Sequence, residues 1–155
     1  MAGPASARAS SWALPGRGAR VIAWDVNDEG LAQTADEAAS AGLTVHTAHI
    51  DVTDEVAVKA ATNAIVAEHG KLDAVFINAG VAGRAGPAID MDLDNWRKVH
   101  AVNLDGAFIT AQAAAVKMKA AGCGKIVFTA SVWGIRGARR RKSPPTCRRR
   151  ARSSA

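Results

Sequence analysis

The sequence predicts an α/β fold, a parallel β-sheet with helices on its two faces. Three observations carry this. Short apolar stretches recur along residues 18–137, mostly without the strict alternation of a half-exposed strand. Segments with apolar residues at helical spacing lie between them, each closed by a glycine. Strand and helix therefore alternate, and parallel strands joined this way need right-handed crossovers.

Taken in order, "RVIAW" (Arg20 to Trp24) is a β-branched run after a glycine, and "TVHTAHI" (Thr44 to Ile50) alternates apolar and polar positions, so both read as strands. Between them Leu31, Ala35, Ala38 and Ala39 fall on one helical stripe, acids occupy the early turns and Gly42 stops the helix. Thr53 or Asp54 then caps a helix with a stripe of Val56, Ala60, Ile65 and Val66, ending at Gly70. "AVFINAG" is a buried strand breaking into a loop. From Asp94 to Ala121 the spacing of Trp96, Val99, Asn103, Ala107, Ala111, Ala114 and Met118 predicts one long amphipathic helix stopped by Gly122, and "KIVFTA" (Lys125 to Ala130) is one more strand.

Composition narrows the function classes. With 155 residues the chain has room for one domain with a real core. No apolar run reaches the roughly 20 residues of a membrane helix, and Met1 to Gly18 lacks the apolar centre of a secretory signal, so a cytoplasmic protein is expected. Cys123 and Cys147 follow no metal-ligand spacing, and no metal site is expected. The net charge of +6 is unevenly placed: nine basic residues and no acid lie from Arg136 onward, leaving a body with all 14 acids and 11 of the 20 bases. "ARRRKSPPTCRRRARSSA" has no hydrophobic period, and disorder is the expectation there.

Five stretches, "GARVIAWDVN", "HIDVTDEVAV", "LDAVFINAGVAG", "NWRKVHAVNLDGAFITAQAA" and "GKIVFTASVWG", stand in the order and at roughly the intervals found in short-chain dehydrogenase/reductases. The chain resembles that family over about residues 18–137. The resemblance implies an NAD(P)-binding, Rossmann-type doubly wound sheet and hydride transfer between nicotinamide and a secondary alcohol or ketone. It divides the chain into a poorly matched segment at 1–17 with a remnant of the first helix, a partial dinucleotide-binding domain at 18–137 and a basic tail at 138–155.

Site residues follow residue by residue. Asp25, ending the first strand, is placed to accept both hydroxyls of an adenosine ribose and to repel a 2′-phosphate, which favours NAD over NADP; opening an Asp-Val-Asn-Asp turn is its rival role. Asp51 and Val52 stand where the family sets a carboxylate beside the adenine amino group and an apolar side chain against the base, with helix capping as the rival for Asp51. Asn78, Ala79 and Gly80 form the small-residue turn that lets the backbone approach the cofactor ribose, a turn that also has structural uses. Asn103 is a poor helix residue on an apolar face, and the family assigns it to a helix distortion that holds a water in a proton relay; a locally satisfied core Asn is the alternative. Ser131, at the carboxyl edge after the last strand, corresponds to the serine that steadies charge on the substrate oxygen, or is an ordinary loop serine.

Two departures stand out. The family's Tyr-x-x-x-Lys begins about a dozen residues past its serine, an interval that falls on Pro144 and Arg148, and the chain has no tyrosine anywhere. At the other end Met1, Ala5 and Ala7 fall where the phosphate-binding loop has glycines. An incomplete sheet is expected, lacking its first strand and its C-terminal strands, with catalysis impaired. The abrupt changes in composition fit a reading frame lost in a GC-rich gene; an intact frame encoding the same tail, found by sequencing the locus, would defeat this. Another class of reading makes the chain a non-enzymatic binder of an anionic surface or nucleic acid through its arginine tail, although that tail has no aromatic residue for base stacking. A homo-oligomer, or pairing with a full-length relative through the 94–121 helix, is a third.

Overall fold

The computed structural model describes residues 18–131. The expectations for Met1, Ala5 and Ala7, for Pro144 and Arg148, and for the basic tail fall outside them. Strand β1 (Val21–Asp25) leads into helix α1 (Asp28–Ser40), strand β2 (Val45–His49) and helix α2 (Glu55–His69). Strand β3 (Ala74–Ile77) follows, then a short 3₁₀ turn (Ala88–Asp90), helix α3 (Leu93–His100), a π-helical turn (Ala101–Gly106), helix α4 (Ala107–Ala121) and strand β4 (Lys125–Phe128).

Among the described residues the strands form two parallel pairs. β1 runs beside β2 with Val21 opposite Val45 and Asp25 opposite His49, and β3 runs beside β4 with Ala74 opposite Lys125. No ladder joins the pairs among the described residues. Helix α1 packs on β1 and β2, α4 packs on β3 and β4, and α2 lies against α4. This is an incomplete α/β sheet, as the sequence predicted.

Local chemistry explains the helix ends. Asn27 accepts from the Gly30 amide at 3.0 Å and caps α1, with Asp28 and Glu29 in the first turn where the helix dipole favours acids. Asp54, and not Thr53, caps α2 by accepting from Val56 and Ala57 at 2.9 and 3.0 Å.

Two stripes differ from those the sequence predicts. In α2, Val56 and Ala60 are exposed, while Val58 and Thr62 are buried. Thr62 is admitted to the interior because its hydroxyl donates to the Val58 carbonyl at 2.8 Å, so no polar group is left unsatisfied there. The predicted 94–121 helix is broken into α3, the π turn and α4. A π turn inserts a residue into the helical ladder and shifts the phase beyond it. Thr110, Ala113, Ala114 and Met118 are therefore the buried set of α4, with Ala111 only half-buried.

Candidate functional site

Four predicted site residues lie at or just beyond the carboxyl ends of the two strand pairs. The Ile50 amide donates to the Asp25 carbonyl at 3.1 Å, which sets Asp25 and Asp51 side by side at the carboxyl ends of β1 and β2. In the other pair, the Thr129 amide donates to the Ile77 carbonyl at 2.9 Å, which places Asn78 and Ser131 at the neighbouring ends of β3 and β4. The two pairs meet at Val52 and Gly106. A Cβ on Gly106 would lie 2.7 Å from Val52 Cγ2 and 3.3 Å from the Ala101 carbonyl, so only glycine permits this approach.

Asp25 is exposed, and its Oδ1 accepts the Asn27 amide at 3.0 Å. The turn role and a ligand role are thus compatible, since one carboxylate oxygen is used locally. Across the strand pair His49 donates through Nδ1 to Asp28 Oδ1 at 2.8 Å. Asp51 is not the helix cap. Its Oδ1 accepts the Thr53 amide at 2.9 Å and the Thr53 hydroxyl at 2.8 Å, and these two bonds hold its carboxyl below the ordinary carboxylate range. A lowered carboxyl contributes stability that is full above its unfolded value and is lost as pH falls through its folded one. Replacing Thr53 with Val is expected to shrink the loss of stability between neutral pH and about pH 3, read as urea midpoints along the acid titration.

Asn103 lies in the π turn and clamps the loop after β3. Its Oδ1 accepts the Val81 amide at 2.8 Å and its Nδ2 donates to the Val81 carbonyl at 2.9 Å. This is not a core Asn: it is exposed, and its partners are backbone groups 22 residues away. The same side chain lies against Gly80, where a Cβ would sit 3.5 Å from Oδ1, so Asn103 and the Asn78–Ala79–Gly80 turn form one unit. An Asn103→Ala change removes both bonds and is expected to cost about 1–2 kcal/mol, with faster hydrogen exchange at the Val81 amide as the local readout. Asn103→Asp, which keeps only the acceptor, should fall between.

Several supporting residues escape the sequence reading. Asn95 Oδ1 accepts the Arg84 amide at 2.8 Å, and Asp92 accepts the Asn95 amide at 2.6 Å while its other oxygen pairs with Arg84 at 3.3 Å. Asn27 had a readable signal, an Asn followed by two acids before an apolar stripe. Gly106 had one too, since glycine inside a helix costs about 1 kcal/mol and calls for a packing reason.

Residues 7–142 match the family described as short chain dehydrogenase. The chain belongs to the short-chain dehydrogenase/reductase family. It is 39% identical over 134 residues to D-threitol dehydrogenase of Mycolicibacterium smegmatis, covering 83% of this chain and 48% of that protein. It is 35% identical over 132 residues to levodione reductase of Leifsonia aquatica, covering 84% and 49%. The crystal structure of NAD+-bound xylitol dehydrogenase superposes with a TM-score of 0.79 at 31% identity, over 84% of this chain and 50% of that one. The chain thus spans about half the length of the short-chain dehydrogenase/reductases it matches. Family members bind NAD(P) and act on small alcohols or ketones. Among the described residues no helix is long and apolar enough to cross a membrane.

The residues present fit the two ends of such a dinucleotide. Asp25 offers an exposed carboxylate at the end of β1, and Gly80 and Ala79 offer side-chain-poor backbone held rigid by Asn103. The segment expected to face the pyrophosphate lies outside the described residues.

Proposed function

We propose that this chain is the cofactor-facing portion of a short-chain dehydrogenase/reductase that uses NAD on a secondary alcohol or ketone, with catalysis impaired in the 155-residue chain. The observation that carries the reading is the clamp of Asn103 on Val81, which ties the loop after Asn78–Ala79–Gly80, at the carboxyl end of β3, to the π turn. Bound NAD supplies or accepts the hydride. Asp25 binds the ribose diol through the oxygen not used by Asn27, and Val52 gives the base an apolar wall. Ser131 holds the substrate oxygen and stabilises charge on it, and Asn103 keeps the loop backbone in place while supporting a proton path. The sequence contains no tyrosine, so no phenol is present to take that proton.

NAD in place of NADP follows from charge: a 2′-phosphate would meet the Asp25 carboxylate and be repelled. Solved relatives include both an NAD+-bound xylitol dehydrogenase and a gluconate 5-dehydrogenase in complex with NADP, so the choice of NAD rests on Asp25 alone. Titration of the full chain should give tighter binding of NAD than NADP, and Asp25→Ala should weaken NAD by about tenfold, the value of one charge-assisted hydrogen bond pair. Equal affinity for the two dinucleotides in the unaltered chain, or no binding of either, would defeat the reading. A cytoplasmic location belongs to this proposal. So does self-association through the exposed Leu104, Phe108 and Val116.

A further inference from the structure

The adenosine end of the proposed site is built from a stretch without permanent positive charge. From residue 21 to residue 58 the sequence holds eight acids and neither lysine nor arginine. That stretch comprises β1, α1, β2 and the start of α2, so it supplies both loops at the carboxyl ends of β1 and β2. The groups in it able to become cations are His46 and His49. His46 stands opposite Ile22, back along β2 and so roughly 10 Å from the strand end. His49 stands at that end, opposite Asp25.

His49 is held in place and remains reachable. Its Nδ1 lies 2.8 Å from Asp28 Oδ1, and its side chain is 56% exposed. A carboxylate only accepts, so Nδ1 carries the hydrogen and a further proton enters at Nε2. The charged groups about the ring are acids: Asp25 opposite on β1, Asp28 in the first turn of α1, and Asp51 just beyond β2, whose carboxyl is lowered chiefly by the Thr53 bonds and to a lesser degree by His49. Lys59 of α2 is paired with Glu55. The amides of the β1–α1 turn are also engaged, Asn27 donating to Asp25 and Gly30 to Asn27. A phosphate on the ribose 2′-oxygen would therefore meet the Asp25 carboxylate and the His49 imidazole.

We propose that His49 sets which dinucleotide this end admits: as the neutral imidazole it leaves Asp25 to repel a 2′-phosphate, and as the imidazolium it pairs with that phosphate, so discrimination against NADP weakens as pH falls. The inference deepens the proposed function and rests on it. Protonation turns Nε2 from an acceptor into a donor and adds the charge that makes a hydrogen bond to phosphate strong. By linkage, NADP binding and proton uptake at His49 then favour one another.

The experiment measures dissociation constants of NAD and NADP for the full chain by calorimetry at about pH 8 and about pH 6, across the range in which histidine changes charge. At the higher pH NAD should bind more tightly, and the NADP-to-NAD ratio of constants should fall by about fivefold or more at the lower one, within the roughly tenfold value of one charge-assisted bond. A phosphate monoester takes up a proton in the same range, so His49→Gln, which can still donate to Asp28 but does not titrate, supplies the background. Its ratio should change by less than about twofold. His49→Arg should hold the ratio low at both pH values, and His46→Gln should respond as the unaltered chain does. An equal change of ratio in the unaltered chain and in His49→Gln, or loss of the response in His46→Gln, would overturn the inference while NAD binding keeps the dehydrogenase reading standing. Binding of neither dinucleotide at either pH would overturn both.

Discussion

Supplied with NAD and a secondary alcohol, the 155-residue chain is expected to turn over at least about 100-fold more slowly than an intact relative, and up to about 10,000-fold. The expected cause is that the chain holds no tyrosine to move the proton. Hydride can leave a secondary alcohol only as its hydroxyl proton is taken, and in the family a tyrosine whose pKa is lowered by a neighbouring lysine takes it. Here there is no tyrosine in the chain, and the expected interval from Ser131 falls on Pro144 and Arg148. Proline has nothing to ionise, and a guanidinium stays protonated throughout the accessible pH range. Following NADH by its near-ultraviolet absorbance decides the matter. A rate in the range of intact relatives that Ser131→Ala abolishes would show that some other group moves the proton.

Gly83→Ala is expected to destabilise the chain by about 2–4 kcal/mol. Two penalties combine at this position. The backbone sits at φ +68, in the left-handed region, where an alanine costs about 1–2 kcal/mol. The new Cβ would also lie 2.6 Å from Val99 Cγ2 and 3.1 Å from Asn95 Oδ1, a contact that real atoms do not keep, so α3 or the loop has to move. Gly42→Ala isolates the first penalty, because its φ is +71 and nothing lies within 4 Å of the added atom. A urea midpoint shifted about twice as far for Gly83→Ala as for Gly42→Ala, at equal slope, is the expected outcome. In a Val99→Ala background the excess should fall away, since the cycle removes the colliding methyl. Equal shifts for the two glycines would show that the loop yields without cost.

Much of this architecture was legible in the residues because local chemistry set it. β-branched runs such as "RVIAW" and caps such as Asp54 depend on neighbours a few positions away, and the strand ends then place Asp25, Asp51, Asn78 and Ser131 without further information. What stayed hidden depends on contacts distant in sequence. The π turn at Ala101–Gly106 has no periodic signature of its own, and only the family resemblance pointed to a helix distortion at Asn103; its contacts, Asn103 reaching Val81 and Gly106 admitting Val52, come from the fold. The buried stripe of α2 was misread for a different reason. Thr62 satisfies its hydroxyl within the helix, so a residue polar by type behaves as apolar by environment, while Val56 stays 78% exposed.

The division of the strands into two separate ladders has a mechanical consequence. Hydrogen bonds across a continuous sheet would make the β1–β2 and β3–β4 leaves twist together; among the described residues the link runs through α2 against α4, through Val52 on Gly106 and through Arg20 donating to His69 at 3.2 Å. Side-chain packing resists shear less firmly than a ladder does, so among the described residues the contact between the two leaves is the softer one. In the proposed dehydrogenase, a dinucleotide reaching from Asp25 to Gly80 would act as a tie rod between the two leaves.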